Sequence, residues 1–226
     1  MRRSALVLII VIMLMGLWYF ILPMEVNSAM ESENVISLPE PKLKGAVSLE
    51  EAIQRRRSKR SYISQELTLE EISQLLWSVQ GITDERRGFR AAPSAGALYP
   101  LEIYLVKADG LYRYIPDGHR IKRLSEKDLR RPLAQAALWQ GFVAQAPIDS
   151  VICSVYERVT SKYGKRGVRY TDIEVGHAAQ NLHLQAIVLG LGSVPIGAFD
   201  DDAVKKVLSL PKDHQPLYII PVGHVK

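Results

Sequence analysis

The segment from Arg55 to Tyr62 reads RRRSKRSY and places five cationic side chains beside two serines. Guanidinium groups bind phosphate oxygens in a bidentate manner, and nearby hydroxyls add hydrogen-bond donors. On a helix, Arg56 and Arg60 would share one face because they are four residues apart. The segment therefore fits a phosphate pocket, but it also fits a solvated run at the end of a helix or a patch that binds a polyanion.

Two loops of small residues offer a second kind of binding chemistry. They read FRAAPSAGALYP, residues 89–100, and GLGSVPIGAFDD, residues 190–201. Small side chains let backbone N–H and C=O groups approach a flat ligand closely. Each loop also fits an ordinary packing turn or helix C-cap. Neither follows a strand as G-x-G-x-x-G, so the dinucleotide-binding fingerprint is not met.

Other chemistries have less support. The single cysteine, Cys153, excludes an intrachain disulfide and a multi-cysteine zinc site, and its apolar surroundings predict a core position. His177 and His183 are six residues apart on a predicted helix, so they cannot share a metal ion, and no metal site is expected. His177 is expected in the core or at a subunit contact. The modest net charge of +5 gives no reason to expect a nucleic-acid partner.

The N-terminus has the composition of a membrane-targeting segment. Arg2 and Arg3 precede an uncharged run from Ala5 to Leu22, which as a helix would extend about 27 Å, close to the hydrocarbon thickness of a bilayer. Because flanking arginines stay on the cytoplasmic side, the sequence predicts a transmembrane signal anchor over residues 1–22 and an extracytoplasmic domain. Secretion after signal cleavage is the alternative.

The remainder divides into a linker and one domain. Residues 23–46 are rich in proline, serine and glutamate without periodicity, which predicts a flexible linker before a domain at residues 47–226. Capping boxes predict helix starts at Ser48 and Thr68. Further helices are predicted over residues 131–147 and 173–192. Strands and helices mix without strict alternation, which predicts an α+β fold.

In combination, these segments resemble the FMN-dependent nitroreductase superfamily and, within it, the SagB/McbC-type (azoline oxidase-like) dehydrogenases. The motifs follow the order of that family: Arg-Arg-Ser-x-Arg, PSAGALYP, KYGKRGVRY, EVGHAAQNLHLQA, GLGSVPIGAF and YIIPVG. The resemblance implies a three-layer αβα sandwich around a mainly antiparallel sheet. It also implies a homodimer with FMN at the subunit interface and two-electron (hydride) transfer through flavin N5.

The resemblance also implies a set of cofactor residues. Arg56, Arg57 and Ser58 would hold the phosphate and ribityl oxygens of FMN. Arg60 would lie at the pyrimidine end of the ring, where a cation stabilises the reduced, anionic flavin. The two small-residue loops would line the ring with Pro93, Ser94, Ala95, Ala97, Pro195, Ile196, Gly197 and Ala198.

The catalytic pair is implied by the same resemblance. Ala97 and Tyr99 stand where better-known nitroreductases have Asn and Gln, which favours the SagB-type branch. In that branch a Lys-Tyr pair is the proposed acid/base apparatus, and Lys162 and Tyr163 occupy its position. A lysine can act as a base only if its pKa falls well below about 10.4. The other interpretation is a basic surface loop.

The predicted function is therefore an FMN-dependent dehydrogenase that acts on a small-molecule or modified-peptide substrate, with azoline-type oxidation as its reaction. The expected location outside the cytoplasm favours this reaction, because NAD(P)H is cytoplasmic. Two alternatives stay open: an NAD(P)H-dependent nitro or quinone reductase, and a non-catalytic, membrane-tethered flavin-binding scaffold.

Overall fold

The computed structural model describes residues 34–225. Its contacts divide the chain into two units, Met1–Ile36 and Ser37–Lys226. Of the first unit, only residues 34–36 are described, and there the short strand β1 (Val35–Ser37) begins. The fold below is that of the second unit.

The predicted membrane location is corrected. The proposed anchor at residues 1–22 lies outside the described residues, and within residues 34–225 no helix combines the length and apolar character that a membrane crossing requires. The prediction of a membrane-anchored, extracytoplasmic domain is therefore wrong.

An antiparallel sheet forms the centre of the second unit. Its strands are β4 (Leu101–Lys107), β5 (Gly110–Ile115), β6 (Arg120–Ser125), β7 (Ile148–Ser154), β8 (Leu191–Ser193) and β9 (Gln215–His224). In the order β6-β5-β4-β7-β9-β8, each strand pairs antiparallel with its neighbour. A separate hairpin consists of β2 (Ile82–Asp84) and β3 (Phe89–Arg90). The α+β fold with a mainly antiparallel sheet is thus confirmed.

Helices cover both faces of this sheet. They are α1 (Leu49–Arg55), α2 (Leu69–Gln80), α3 (Arg130–Ala136), α4 (Gly141–Gln145), α5 (Glu157–Tyr163), α6 (Arg166–Val188) and α7 (Asp201–Leu208). On one face, α3, α4 and α7 pack on Tyr104, Val106 and Val151. Ile103 and Ile152, which point the other way, are equally buried, and α6 contacts β7, β8 and β9. The sheet therefore lies between two helical layers.

Local signals set the helix ends. Thr68 and Glu71 form both bonds of a capping box at the start of α2, and Gly81 caps its end. Ser48 accepts from the backbone N–H of Glu51 at 3.2 Å, but the Glu51 side chain pairs with Arg55 at 2.6 Å instead of closing the box. The capping prediction thus holds in full for α2 and in part for α1.

The prediction of one helix over residues 131–147 is wrong. The segment breaks into α3 and α4, and at the corner between them Leu138 and Trp139 adopt left-handed backbone angles, with φ of 56° and 62°. Both side chains are largely exposed. Tertiary hydrogen bonds hold this corner, since the N–H of Asp200 donates to Ala136 O at 2.9 Å.

Two further expectations concern single segments. Cys153 is fully buried in β7, which confirms its core position, and burial raises the pKa of its thiol, so the thiolate is disfavoured.

In the predicted linker, the N–H of Lys42 donates to the Gln74 side chain at 2.8 Å, and the Gln74 amide donates back to Lys42 O at 3.1 Å. The linker and domain boundaries remain predictions.

Candidate functional site

The arginine segment leaves its helix before most of the cations. α1 ends at Arg55, and Arg56 caps it with non-helical backbone angles. The chain then runs beside β8, where Ser58 pairs with Ser193 in a parallel bridge and the N–H of Lys59 donates to Ser193 O at 3.0 Å. The arginines therefore do not share a helical face; they extend from a strand-like segment.

Three guanidinium groups in this segment, those of Arg56, Arg57 and Arg60, have no carboxylate partner within the described residues. Arg57 donates to the carbonyl of Gln54 at 3.0 Å, and the guanidinium carbon of Arg60 lies 5.8 Å from the ring centre of Phe142. Arg57 and Arg60 are exposed and Arg56 is half-buried. Positive charge that no carboxylate neutralises favours an anionic ligand.

The second small-residue loop continues from β8. Ile196 and Ile219 exchange two backbone hydrogen bonds of 2.8 and 3.0 Å, which fix the loop to β9. Gly197 and Ala198 are exposed, and the carbonyl of Ala198 accepts from the Gln140 side chain at 2.9 Å. β8 runs beside the arginine segment and leads directly into this loop. The arginine segment and the second small-residue loop are therefore neighbours in the fold. We call this set the arginine cluster: Arg56, Arg57, Ser58, Arg60, Pro195, Ile196, Gly197 and Ala198.

Within the first small-residue loop, residues 93–99 have a strained backbone. Gly96, Ala97 and Tyr99 all have positive φ, at 63°, 54° and 46°. The hydroxyl of Ser94 accepts from the N–H of Tyr99 at 2.9 Å and closes the loop. Left-handed conformations of non-glycine residues persist only where their surroundings enforce them, and they concentrate at ligand sites.

Lys162 and Tyr163 converge on this loop. A methyl group at Gly96 would lie 2.7 Å from the hydroxyl oxygen of Tyr163 and 3.0 Å from Nζ of Lys162. Both residues lie at the end of α5, where the sequence pattern allowed a loop. Lys162 is exposed, and Tyr163 packs edge-to-face on Tyr170 with ring centres 5.3 Å apart. We call this set the loop cluster: Pro93, Ser94, Ala95, Ala97, Lys162 and Tyr163.

A buried acid lies beneath the loop cluster. Glu174 of α6 is 2% exposed, and neither carboxylate oxygen has a hydrogen bond of ordinary geometry. Burial raises the pKa of this carboxyl to about 7, although the nearby Ser94, Arg90 and Gln80 lower it somewhat. A cavity of about 280 Å³ adjoins it, lined by Pro93, Ser94, Ala95, Tyr170, Ile173, Glu174 and His177.

Glu174→Gln should change how stability depends on pH. The carboxyl has a pKa of about 7 in the folded protein and an ordinary value of 4.5, so between these values the folded state holds a proton that the unfolded state has lost. The free energy of unfolding should therefore fall by about 2–3 kcal/mol as pH rises from 4.5 to 7. In Glu174→Gln this contribution to the pH dependence of stability should be absent. Urea unfolding at pH 5 and pH 8 measures it.

The matched control for this experiment is Glu85→Gln, at an exposed position. It should keep the wild-type difference in unfolding free energy between the two pH values. An unchanged difference in Glu174→Gln would show that Glu174 is ionised throughout.

The two clusters lie on different sides of α6. Arg56 contacts His183 in the C-terminal half of the helix, whereas the loop cluster packs near Glu174. Glu174 and His183 are nine residues apart, which corresponds to about 14 Å along the axis and about half a turn around it. One chain therefore brings the predicted residues together as two groups rather than as one.

Three polar residues that lie next to these clusters were not predicted as site residues from the sequence: His183, Glu174 and Gln140. His177, expected in the core or at a subunit contact, is exposed beside the cavity. For Glu174 and His183 the sequence did contain a signal. The helical periodicity predicts that both positions are buried, and a polar residue at a buried position can indicate a site. No comparable signal marks Gln140, whose partner Ala198 is distant in sequence.

Comparisons with known proteins agree with this geometry. The sequence model of the nitroreductase family matches residues 53–224. A Methanocaldococcus jannaschii protein named as a nitroreductase is 48% identical over 183 residues, covering 78% of this chain and 91% of that protein. A crystal structure described as a nitroreductase of Ralstonia eutropha superposes with a TM-score of 0.79 at 31% identity, covering 86% of this chain and 91% of that one.

A more distant relative carries a more specific name. The microcin B17-processing protein McbC of Escherichia coli is 26% identical over 157 residues, covering 64% of this chain and 57% of that protein.

Proposed function

Because this chain belongs to the nitroreductase family of flavin oxidoreductases, we propose that it is an FMN-dependent dehydrogenase of the SagB/McbC type. Its reaction would be the two-electron oxidation of an azoline-type ring in a small molecule or modified peptide. Membership of the family rests on the match over most of the chain; FMN and the substrate class are the proposal.

The arginine cluster is the observation that carries this proposal. Within the part of the chain that the structure describes, its three guanidinium groups pair with no carboxylate, and Ser58 of the same segment adds a hydroxyl, so the donor set suits a terminal phosphate. Arg60 adds a cation, and Gly197 and Ala198 offer exposed backbone with little side-chain bulk. These features fit FMN, which joins a phosphate to a flat ring.

Each group has a distinct part in this proposal. A bound flavin would supply reversible two-electron chemistry. Arg56 and Ser58 would hold the phosphate, and Arg60 would stabilise negative charge on the pyrimidine. Lys162 would accept the proton that leaves the substrate ring, and Tyr163 would orient that amine or the substrate. The strained loop at residues 93–99 would keep its small residues against the ring.

We propose further that a second copy of the chain completes the site. A ligand that touched both clusters of one chain would have to pass around α6, which separates them. In a two-fold symmetric dimer, the arginine cluster of one copy can face the loop cluster of the other, and each dimer then has two such sites. The exposed Val168 and Ile173 of α6 provide apolar surface for this contact.

One alternative has an observation in its favour. The relative that is 48% identical is named as a nitroreductase, which favours an NAD(P)H-dependent nitro or quinone reductase. In that reaction the nicotinamide supplies a hydride and no C–H proton needs to be removed, so Lys162 would have no part as a base.

Anaerobic reduction of the protein separates these functions. The purified full-length chain is loaded with FMN, and either a thiazoline-containing peptide or NADPH is added while the visible absorbance of the flavin is followed. We expect bleaching by the thiazoline peptide. Bleaching by NADPH alone would favour the reductase, and a loaded protein that neither donor bleaches would favour a non-catalytic flavin-binding scaffold.

A further inference from the structure

A buried histidine links the arginine cluster to the core of the protein. His183, on α6, is 2% exposed. Its Nε2 lies 3.2 Å from a terminal nitrogen of Arg56, and its Nδ1 lies 2.5 Å from the hydroxyl oxygen of Ser193. Ser193 is itself 1% exposed in β8. Both ring nitrogens are thus engaged, one of them with a residue of the proposed phosphate site.

The chemistry of arginine fixes the tautomer of this ring. A guanidinium group can only donate hydrogen bonds, so Nε2 of His183 must be the acceptor for Arg56. The ring proton then belongs to Nδ1 and is donated to Ser193. Burial, together with the positive charge of Arg56, lowers the pKa of His183 to about 4. The imidazole is therefore neutral near pH 7, as this arrangement requires.

The far end of this hydrogen-bond chain, at Ser193, is held by backbone contacts. The backbone of Ser193 accepts from the N–H of Lys59 at 3.0 Å and forms a bridge with Ser58. Ser193 therefore contacts the arginine segment through its backbone and His183 through its side chain. The position of the Arg56 guanidinium is thereby tied to the same strand that positions Ser58.

We propose that His183 is a positioning residue that aims Arg56 at the phosphate of the flavin and so makes the site selective for phosphorylated flavin. This inference rests on the proposed function, since it takes the phosphate as the ligand of Arg56. A long, flexible side chain such as that of Arg56 loses less conformational entropy on binding a ligand if a hydrogen bond already holds its guanidinium group in place. The bond to His183 leaves the other guanidinium nitrogens of Arg56 able to contact phosphate oxygens.

The test compares two flavins that differ only in the phosphate. Dissociation constants of FMN and riboflavin are measured by quenching of flavin fluorescence, for the wild type, His183→Leu and His183→Gln. In His183→Leu, we expect FMN binding to weaken about tenfold, with riboflavin binding unchanged. His183→Gln should recover most of the FMN affinity, because an amide oxygen can accept from Arg56 while its NH₂ donates to Ser193.

His214→Gln is the matched control, because His214 is also buried and bonds the hydroxyl of Tyr104 at 2.8 Å. It should bind both flavins as the wild type does, and thermal melting of each variant checks that it is folded.

Three results would overturn the inference. Wild-type affinity for FMN in His183→Leu would show that His183 does not position Arg56. Equal weakening of FMN and riboflavin would assign His183 a merely structural role. A wild-type protein that binds neither flavin would refute the proposed function itself, whereas the first two results leave that function intact.

Discussion

Replacing Lys162 with alanine should slow oxidation of a thiazoline-containing peptide by about 10²- to 10⁴-fold, the usual contribution of a general base. The amine lies beside the loop at residues 93–99, 3.0 Å from the position that a methyl group at Gly96 would take. It is exposed and belongs to no ion pair within the described residues, so its removal should not disturb the fold. FMN should stay bound, because Lys162 is outside the arginine cluster.

The rate of flavin bleaching under anaerobic conditions measures this effect. Lys165→Ala is the control, since Lys165 is a neighbouring exposed lysine and should keep the wild-type rate. Reduction by NADPH, if it occurs, should not change in Lys162→Ala because no proton is abstracted. A Lys162→Ala variant that oxidises the thiazoline peptide at the wild-type rate would remove Lys162 from the catalytic role.

Arg56→Ala should weaken FMN binding by about 10- to 150-fold, because a hydrogen bond to a charged group contributes about 1.5–3 kcal/mol. Arg56 is half-buried, has no carboxylate partner among the described residues, and is held by His183, so its guanidinium is prepared for an anion. Riboflavin, which has no phosphate, should lose little affinity.

Fluorescence titration with both flavins provides the measurement. Arg55→Ala is a close control, because Arg55 precedes Arg56 but pairs with Glu51 at 2.6 Å. That variant should bind FMN like the wild type. Equal FMN affinity in Arg56→Ala and the wild type would place the phosphate elsewhere.

Much of the fold could be predicted from local sequence signals. The capping box of Thr68 and Glu71 and the turn before His119 act over a few residues, so their effect is visible in the sequence. The same is true of strand β4, whose apolar run matches its burial, and of the apolar stretch in β9. β7 is buried along its whole length although it also contains Asp149, Ser150 and Ser154.

The break between α3 and α4 could not be predicted in this way. Neither Leu138 nor Trp139 is a residue type that favours a positive φ, and the corner that they form is held by bonds to residues far along the chain. The Gln140 side chain donates to Ala137 O and to Ala198 O, each at 2.9 Å. Tertiary contacts therefore override the helical periodicity of this segment.

For the site, residue types were more informative than positions. The small-residue loops and the arginine run have compositions that indicate ligand binding, and a resemblance to a family suggested their roles. The position of each residue around α6 decides which residues contact one another within one chain. That position is set by tertiary packing and is not visible in the sequence. Glu174 and His183 were missed because a buried polar residue on a helix acquires its meaning only from its neighbours.

Mixed dimers test most directly the claim that two copies of the chain build the flavin site. Arg56→Ala and Lys162→Ala chains with different affinity tags are co-expressed, and dimers that contain one of each are purified through both tags. If the site is shared, one of the two sites in each dimer has both Arg56 and Lys162, and the other has neither. We expect one FMN per mixed dimer, bleached by the thiazoline peptide at the wild-type rate. One FMN bleached only at the slow rate of the Lys162→Ala protein would show that each chain builds its own site and would contradict the shared site.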